Sequence, residues 1–191
     1  MRLARRLHAR ARSESGFTLI ELLTSMAILM TVMGGLTTLM VSGINQEVEM
    51  NRRFQAQTEA RLGLDKLRRD VHCSGSLTPT GTSATIVLTM SVSCPTSGGG
   101  TSVTWCTVSN GTGPQPRYGL WRYLGGACSG TGVKIADYLT TQSAFTHTAP
   151  GVGSGELKQL GVALTVNLSP TKPLRAYKLQ DDLVLRNSIR A

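Results

Sequence analysis

Histidine is scarce and scattered in this 191-residue chain: His8, His72 and His147 are the three, and no two of them are close in sequence. No His-x-x-x-His pair exists to hold a metal ion, and an isolated surface histidine is the ordinary reading of each. Closely spaced cysteines are missing too. Cys94 and Cys106 are the nearest two, 12 positions apart, whereas zinc ligands come in pairs separated by two to four residues. Gly98-Gly99-Gly100 is not followed by Lys-Ser or Lys-Thr, which argues against a phosphate-cradling loop. Acidic residues are few beyond Cys73: Asp137, Glu156, Asp181 and Asp182 face nine basic side chains. The adjacent Asp181 and Asp182 offer a start for a calcium site, but no further ligand pattern completes it. These absences remove the usual nucleophile, base and metal sets. The chain is expected to be non-enzymatic and to need no cofactor.

What is present begins at the amino terminus. Arg2, Arg5, Arg6, Arg10 and Arg12 crowd the first twelve residues, and Ser15-Gly16-Phe17-Thr18-Leu19-Ile20-Glu21 then opens an apolar run to about Ile44 in which Glu21 is the only charge. A secretory signal peptide is cut after its hydrophobic part, at small residues. Here the small-residue break, Gly16, precedes the hydrophobic part, so a cut there would leave the anchor on the product. Residues 22–44 supply 23 uncharged positions, about 35 Å of helix, enough to span a bilayer with some tilt. The arginine flank places that end in the cytoplasm by the positive-inside bias, and the carboxyl-terminal bulk on the outer side. Glu21 stands out in this run. An ionisable group in hydrocarbon costs about 2.5–3.5 kcal/mol on insertion scales, so it requires a partner or a function.

Gly16, Phe17, Thr18, Leu19, Ile20, Glu21, Leu22 and Leu23 together resemble the class III signal of type IV pilins and type II secretion pseudopilins. The resemblance covers roughly the first 35 residues. It implies that a prepilin peptidase cuts between Gly16 and Phe17 and that the new amino terminus, on Phe17, is N-methylated. The methylated amine stays cationic. Glu21 lies four residues on, so it can meet the amine of its own chain or of a neighbour; the family resemblance favours a neighbouring subunit, with Glu21 as an assembly contact. It further implies a pilin-like α+β fold, in which a long amino-terminal helix carries an antiparallel β-sheet head on its second half. The expected partners are the prepilin peptidase, other pilins or pseudopilins in a filament, and the inner membrane before assembly. A minor subunit is expected from the arginine-rich leader, the long loops of the head and the terminal Leu185-Arg186-Asn187-Ser188-Ile189. The same resemblance leaves a second reading, a nucleic-acid-binding subunit of a DNA-uptake pilus.

The chain divides accordingly into a basic leader (1–16), a transmembrane and filament-core helix (17–44), its continuation (45–72) and a β-rich extracytoplasmic head (73–191). Residues 17–72 contain no proline, and Ala60, Leu64, Leu67 and Val71 form one stripe at heptad spacing, so one helix of about 84 Å is expected. Glu49–Arg53, Arg61–Asp65, Asp65–Arg69 and Lys66–Asp70 are each four apart on its other faces. Gly34-Gly35 permits either local loosening or close helix packing. Beyond Cys73 the composition turns to Ser, Thr and Gly with short β-branched runs. Strands are expected at 84–92, 102–108, 118–124, 157–168 and 176–186, the last broken near Asp181-Asp182, with hairpin loops at 97–100 and 110–114. The first three should form a meander.

Cys73, Cys94, Cys106 and Cys128 are an even set on the outer side, where disulfides persist. Positions along the meander lean towards Cys94–Cys128 and Cys73–Cys106, with all three pairings open. Of the formal charge of +9, the leader holds +4 (five Arg, one Glu), leaving +5 on the processed chain. The excess lies in the head, where it suits a solvated surface and permits attraction to an acidic polymer. Tyr118, Trp121 and Tyr123, with Trp105 and flanked by Arg117 and Arg122, are candidates for stacking on bases. Strand alternation sends half of this set into the core.

Overall fold

A computed structural model describes residues 16–91, 101–111, 116–149, 157–169 and 175–186. Among these residues one helix, α1 (Leu19–Cys73), is followed by nine strands: β1 (Ser74–Thr78), β2 (Gly81–Ser83), β3 (Thr85–Met90), β4 (Ser102–Ser109), β5 (Tyr118–Leu124), β6 (Gly132–Leu139), β7 (Phe145–Thr148), β8 (Gln159–Val166) and β9 (Tyr177–Val184). This is the pilin-like α+β architecture, a long amino-terminal helix and an antiparallel sheet packed on it. Residues up to Glu49 and residues from Met50 onward form two compact units.

In the first unit α1 starts at a threonine N-cap. The Glu21 amide donates to Thr18 Oγ1 at 3.4 Å and to the Thr18 carbonyl at 3.0 Å, so Thr18 is the cap and Glu21 the third helical residue. An acid in the first turn also complements the helix dipole. The helix then runs unbroken through Gly34-Gly35. A Cβ on either glycine would meet nothing within 4 Å, so nothing in this chain requires them to be small.

In the second unit the stripe on α1 is the helical half of the core. Ala56, Ala60, Leu64, Leu67 and Val71 are buried, which includes every residue of the expected stripe. Gly63 lies among them because the sheet comes close: a Cβ there would sit 3.2 Å from Ile135 Cγ2 and 3.4 Å from Leu120 Cδ2. The sheet contributes Ile86 and Leu88 from β3, Val103 and Trp105 from β4, Leu120 from β5, and alternate residues of β8 from Leu160 to Val166. That alternation is the period-two pattern of a sheet with one covered face.

The sheet runs β1-β3-β4-β5-β6-β8-β7-β2, with β9 also on β8. The expected meander is the antiparallel run β3-β4-β5. Residues 132–148 link its two parts: β6 pairs with β5, and β7 pairs with β8, while Leu139 opposite Val166 joins β6 to β8. β9 occupies the other side of β8 along its length, with Asp181 opposite Val162 and Asp182 opposite Gly161. The expected break at Asp181-Asp182 does not occur. Asp181 points under the sheet and receives Arg68 Nη2 at 2.7 Å, and Asp182 projects from the other face, so alternation accommodates both acids.

Tertiary contacts also redirect the charges of α1. Asp70 accepts from Arg122 Nε at 2.7 Å and from Trp105 Nε1 at 2.9 Å, both on the sheet, instead of from Lys66. Asp65 pairs with Arg68 at 3.2 Å, three residues on, instead of with Arg61 or Arg69. Arg61 donates to the Tyr177 hydroxyl at 3.1 Å and lies over its ring.

The cysteine pairing differs from the expected one. Cys106 is bonded to Cys128, their Cα atoms 6.2 Å apart. The connection after β5 folds back instead of leaving Cys128 beside Cys94. Gly125 and Gly130, at φ of 110° and 84°, take backbone conformations that glycine adopts without strain, and Thr104 Oγ1 donates to the Gly125 carbonyl at 2.6 Å. Cys128 thereby reaches the middle of β4, with its sulfur 3.4 Å from Thr85 Oγ1. Cys73 is also disulfide-bonded. Cys94 and the glycine loop at 97–100 lie outside the described residues.

Candidate functional site: the amino-terminal signal

Gly16, Phe17 and Thr18 precede the first helical turn and are exposed, Phe17 to 79%. The Gly16–Phe17 peptide bond therefore lies outside the helical hydrogen-bond ladder. A peptidase can engage it without unwinding α1, because the cap at Thr18 ends the helix two residues away. A Cβ on Gly16 would meet nothing within 4 Å. Any need for glycine at this position is imposed by what binds the segment and not by the fold.

The helix that follows is long and apolar enough to cross a membrane, with a mean hydropathy of 1.8 over its best 18-residue window and none of that window buried within the chain. Five of its hydroxyls are nonetheless satisfied. Thr24 donates to the Glu21 carbonyl at 3.0 Å, Ser25 to Leu22 at 2.9 Å, Thr31 to Ile28, Thr37 to Met33 and Thr38 to Gly35, each at 2.8 Å. Each of these five bonds a carbonyl three or four residues back and so needs no water. Polar side chains that satisfy themselves on their own helix lower the cost of placing it in hydrocarbon. Glu21 is the exception, an exposed carboxylate on the first turn.

Residues 11–37 match the family described as the prokaryotic N-terminal methylation motif. The chain carries the type IV pilin and pseudopilin signal. Gly16, Phe17, Thr18 and Glu21 all fall inside the matched segment. Neither the curated proteins nor the solved structures contain a match to the chain. The pilin-type signal was legible from its residues; the capping role of Thr18 was not drawn from them, although Thr18-x-x-Glu21 is the sequence pattern of a capping box. The backward hydroxyl bonds were equally foreshadowed by the recurrence of Ser and Thr in an apolar run.

The other candidate residues are dispersed over the head. Trp105 is fully buried and bonded to Asp70, and Arg122 is held on the same carboxylate. Trp121 and Tyr123 are stacked at 6.2 Å on the opposite face of β5. Arg117 lies 3.6 Å over the Tyr138 ring and 3.6 Å from Asp137. The aromatic set is thus divided between two faces, and both flanking arginines are engaged by carboxylates. No stacking platform with free cations is formed by these residues.

Asp137 is the hub of the outer β5–β6 surface, where register shifts interrupt the pairing. Burial pushes its carboxyl up, but the Tyr138 amide, Lys134, Asn110 and Arg117 together outweigh burial and hold it below the ordinary carboxylate range. Tyr138, next to it, takes a φ of 65°, a conformation that costs a non-glycine residue strain. The Tyr138 amide bonded to Asp137 and the Asn167 amide bonded to the Tyr138 carbonyl hold it there, at 2.7 and 3.0 Å. His147 is buried, with Nδ1–H donating to the Pro79 carbonyl at 3.1 Å and Nε2 without a partner among the described residues. Burial first, and then Lys158, push its pKa down against the bond to Pro79. Among the described residues no group of three or more His, Cys, Asp or Glu side chains is placed to hold a metal ion. The Asp181-Asp182 pair gains no further ligand.

Proposed function

We propose that this chain is a minor subunit of a type IV pilus-like or type II secretion filament, cut by a prepilin peptidase between Gly16 and Phe17, N-methylated on Phe17 and drawn into the fibre through Glu21. The observation that carries the reading is the matched motif at residues 11–37, opening a helix whose apolar side chains from Phe17 to Ile44 no part of the described chain covers. A surface of that kind needs lipid or other helices around it. Before assembly it anchors the chain in the inner membrane, amino terminus in the cytoplasm and head outside. In the filament the same surface packs on copies of related helices, and the Glu21 carboxylate meets the cationic amine of a neighbouring Phe17. Removal of the leader takes away +4 of charge that would oppose that transfer.

The test is the mass and first residue of the chain after co-expression with a prepilin peptidase. The expected product begins at N-methylated Phe17. Gly16→Ala should leave the chain at full length, and a shortened product from that variant would overturn the assignment of the cut. Glu21→Ala should be cut normally but enter filaments poorly; normal incorporation would remove the assembly role.

A further inference from the structure

The outer face of β7, β8 and β9, away from α1, holds a cavity of about 260 Å³ whose lining includes Thr146, Thr148, Gln159, Gly161, Gln180 and Asp182. It is created by register. Thr146, Gly161 and Asp182 lie side by side across three strands, and the central position has no side chain. A Cβ on Gly161 would stand 3.2 Å from Asp182 Oδ1 and 3.5 Å from the Thr146 carbonyl, so any other residue would begin to fill the dent. The next rungs place Thr148 opposite Gln159 and Ala163 opposite Gln180, which surround the dent with amides and hydroxyls.

The chemistry of the lining selects a ligand class. No basic side chain lines the cavity, so a phosphate or other anion would find only the Asp182 carboxylate, which repels it. A calcium ion takes six to eight oxygen ligands, usually several of them carboxylates, and here Asp182 is the only acid in the lining. An apolar ligand would strand the polar groups without partners. A neutral polyhydroxylated ring satisfies them: each hydroxyl donates and accepts at once, a carboxylate accepts from two neighbouring hydroxyls, and glutamine amides offer both a donor and an acceptor. The Asp182 carboxylate makes no hydrogen bond or ion pair with another described residue, which leaves it available for this. The volume is just below the roughly 300–1,000 Å³ of sites for drug-sized ligands, a size suited to a single ring. We propose that this cavity is a binding site for one sugar residue of a glycan or polysaccharide, with Asp182 and Gln180 as its hydrogen-bonding groups and Gly161 as its floor.

The full-length chain in micelles of a sugar-free zwitterionic detergent would be titrated with the methyl glycosides of glucose, galactose, mannose and N-acetylglucosamine, followed by saturation-transfer NMR. Saturable binding of at least one glycoside is expected, and Asp182→Ala should weaken it about tenfold or more, the loss of one charged hydrogen-bond partner. Gln180→Ala should weaken it by a smaller factor, and Trp121→Ala, on the β5 part of the outer face, should leave it unchanged. Because Asp182 and Gln180 are exposed, neither variant threatens the fold. Absence of saturable binding to all four glycosides would overturn the proposal. So would binding that survives both Asp182→Ala and Gln180→Ala, or an Asp182-dependent response to calcium chloride or methylammonium chloride alone.

Discussion

The two parts of α1 use leucine in opposite ways. Up to Glu49 the apolar residues point in every direction and stay uncovered: Leu19 is 79% exposed, Met30 73% and Leu39 72%. From Met50 to Cys73 one apolar stripe goes under the sheet, with Leu67 and Val71 completely buried, while Met50, Phe54 and Leu62 lie off it and stay exposed. The backbone is the same regular helix in both. Tertiary packing on the sheet supports the second part, while no described residue covers the first.

The sharpest test of that contrast compares Leu67→Ala with Leu29→Ala. Leu67→Ala should cost the fold about 2–5 kcal/mol, the usual penalty for a cavity left by a buried leucine, whereas Leu29→Ala should leave denaturant unfolding of the head almost unchanged. Equal losses, measured in micelles, would erase the distinction. A smaller effect is expected at the polar clamp between helix and sheet. Asp70→Ala leaves Arg122 and the Trp105 indole N–H without their acceptor in a half-buried place, and should cost about 1.5–3 kcal/mol; a loss no larger than that of an exposed ion pair would show that water replaces the carboxylate. Smaller again is a pH effect confined to the head. His147 has a folded pKa below its unfolded value of about 6.5, so its neutral form contributes stability that is present above that pH and lost as pH falls towards the folded value. The midpoint of unfolding should drop on acidification below about pH 6.5, and His147→Gln should flatten that slope. Asp137 has the same sign at lower pH, since its folded pKa is depressed below the ordinary carboxylate value.

Legibility followed the length of the local pattern. β5 was legible to the residue, and four of the buried positions on α1 were, with Ala56 and Gly63 missed, because strand alternation and heptad spacing are properties of neighbours in sequence. β6 was missed because a bulge near Ala136–Asp137 breaks its alternation and its polar residues, Lys134 and Asp137, serve each other on the outer surface. β7 escaped notice since its Phe-Thr-His-Thr run buries a histidine where an apolar residue would be read. β1 and β2 are short and rich in Ser, Gly and Thr, and exist only because β3 and β7 lie beside them. At the signal, Gly16, Phe17 and Glu21 were readable because the motif that contains them is one contiguous stretch of sequence. The sugar-sized dent was not, because its three walls are separated by tens of residues.

Sequence alone was enough for the order of apolar helix and β-rich head, the motif at residues 11–37 and most of the face that α1 gives to the sheet. All of these depend on residues within a few turns of each other, where periodicity and charge act directly. Tertiary structure alone decided that Asp70 answers to Arg122 and Trp105, that Cys106 meets Cys128, and that Gly161 opens beneath Asp182. Those pairings depend on register and on glycine turns that bring distant segments together, and no local propensity specifies which strand will lie beside which.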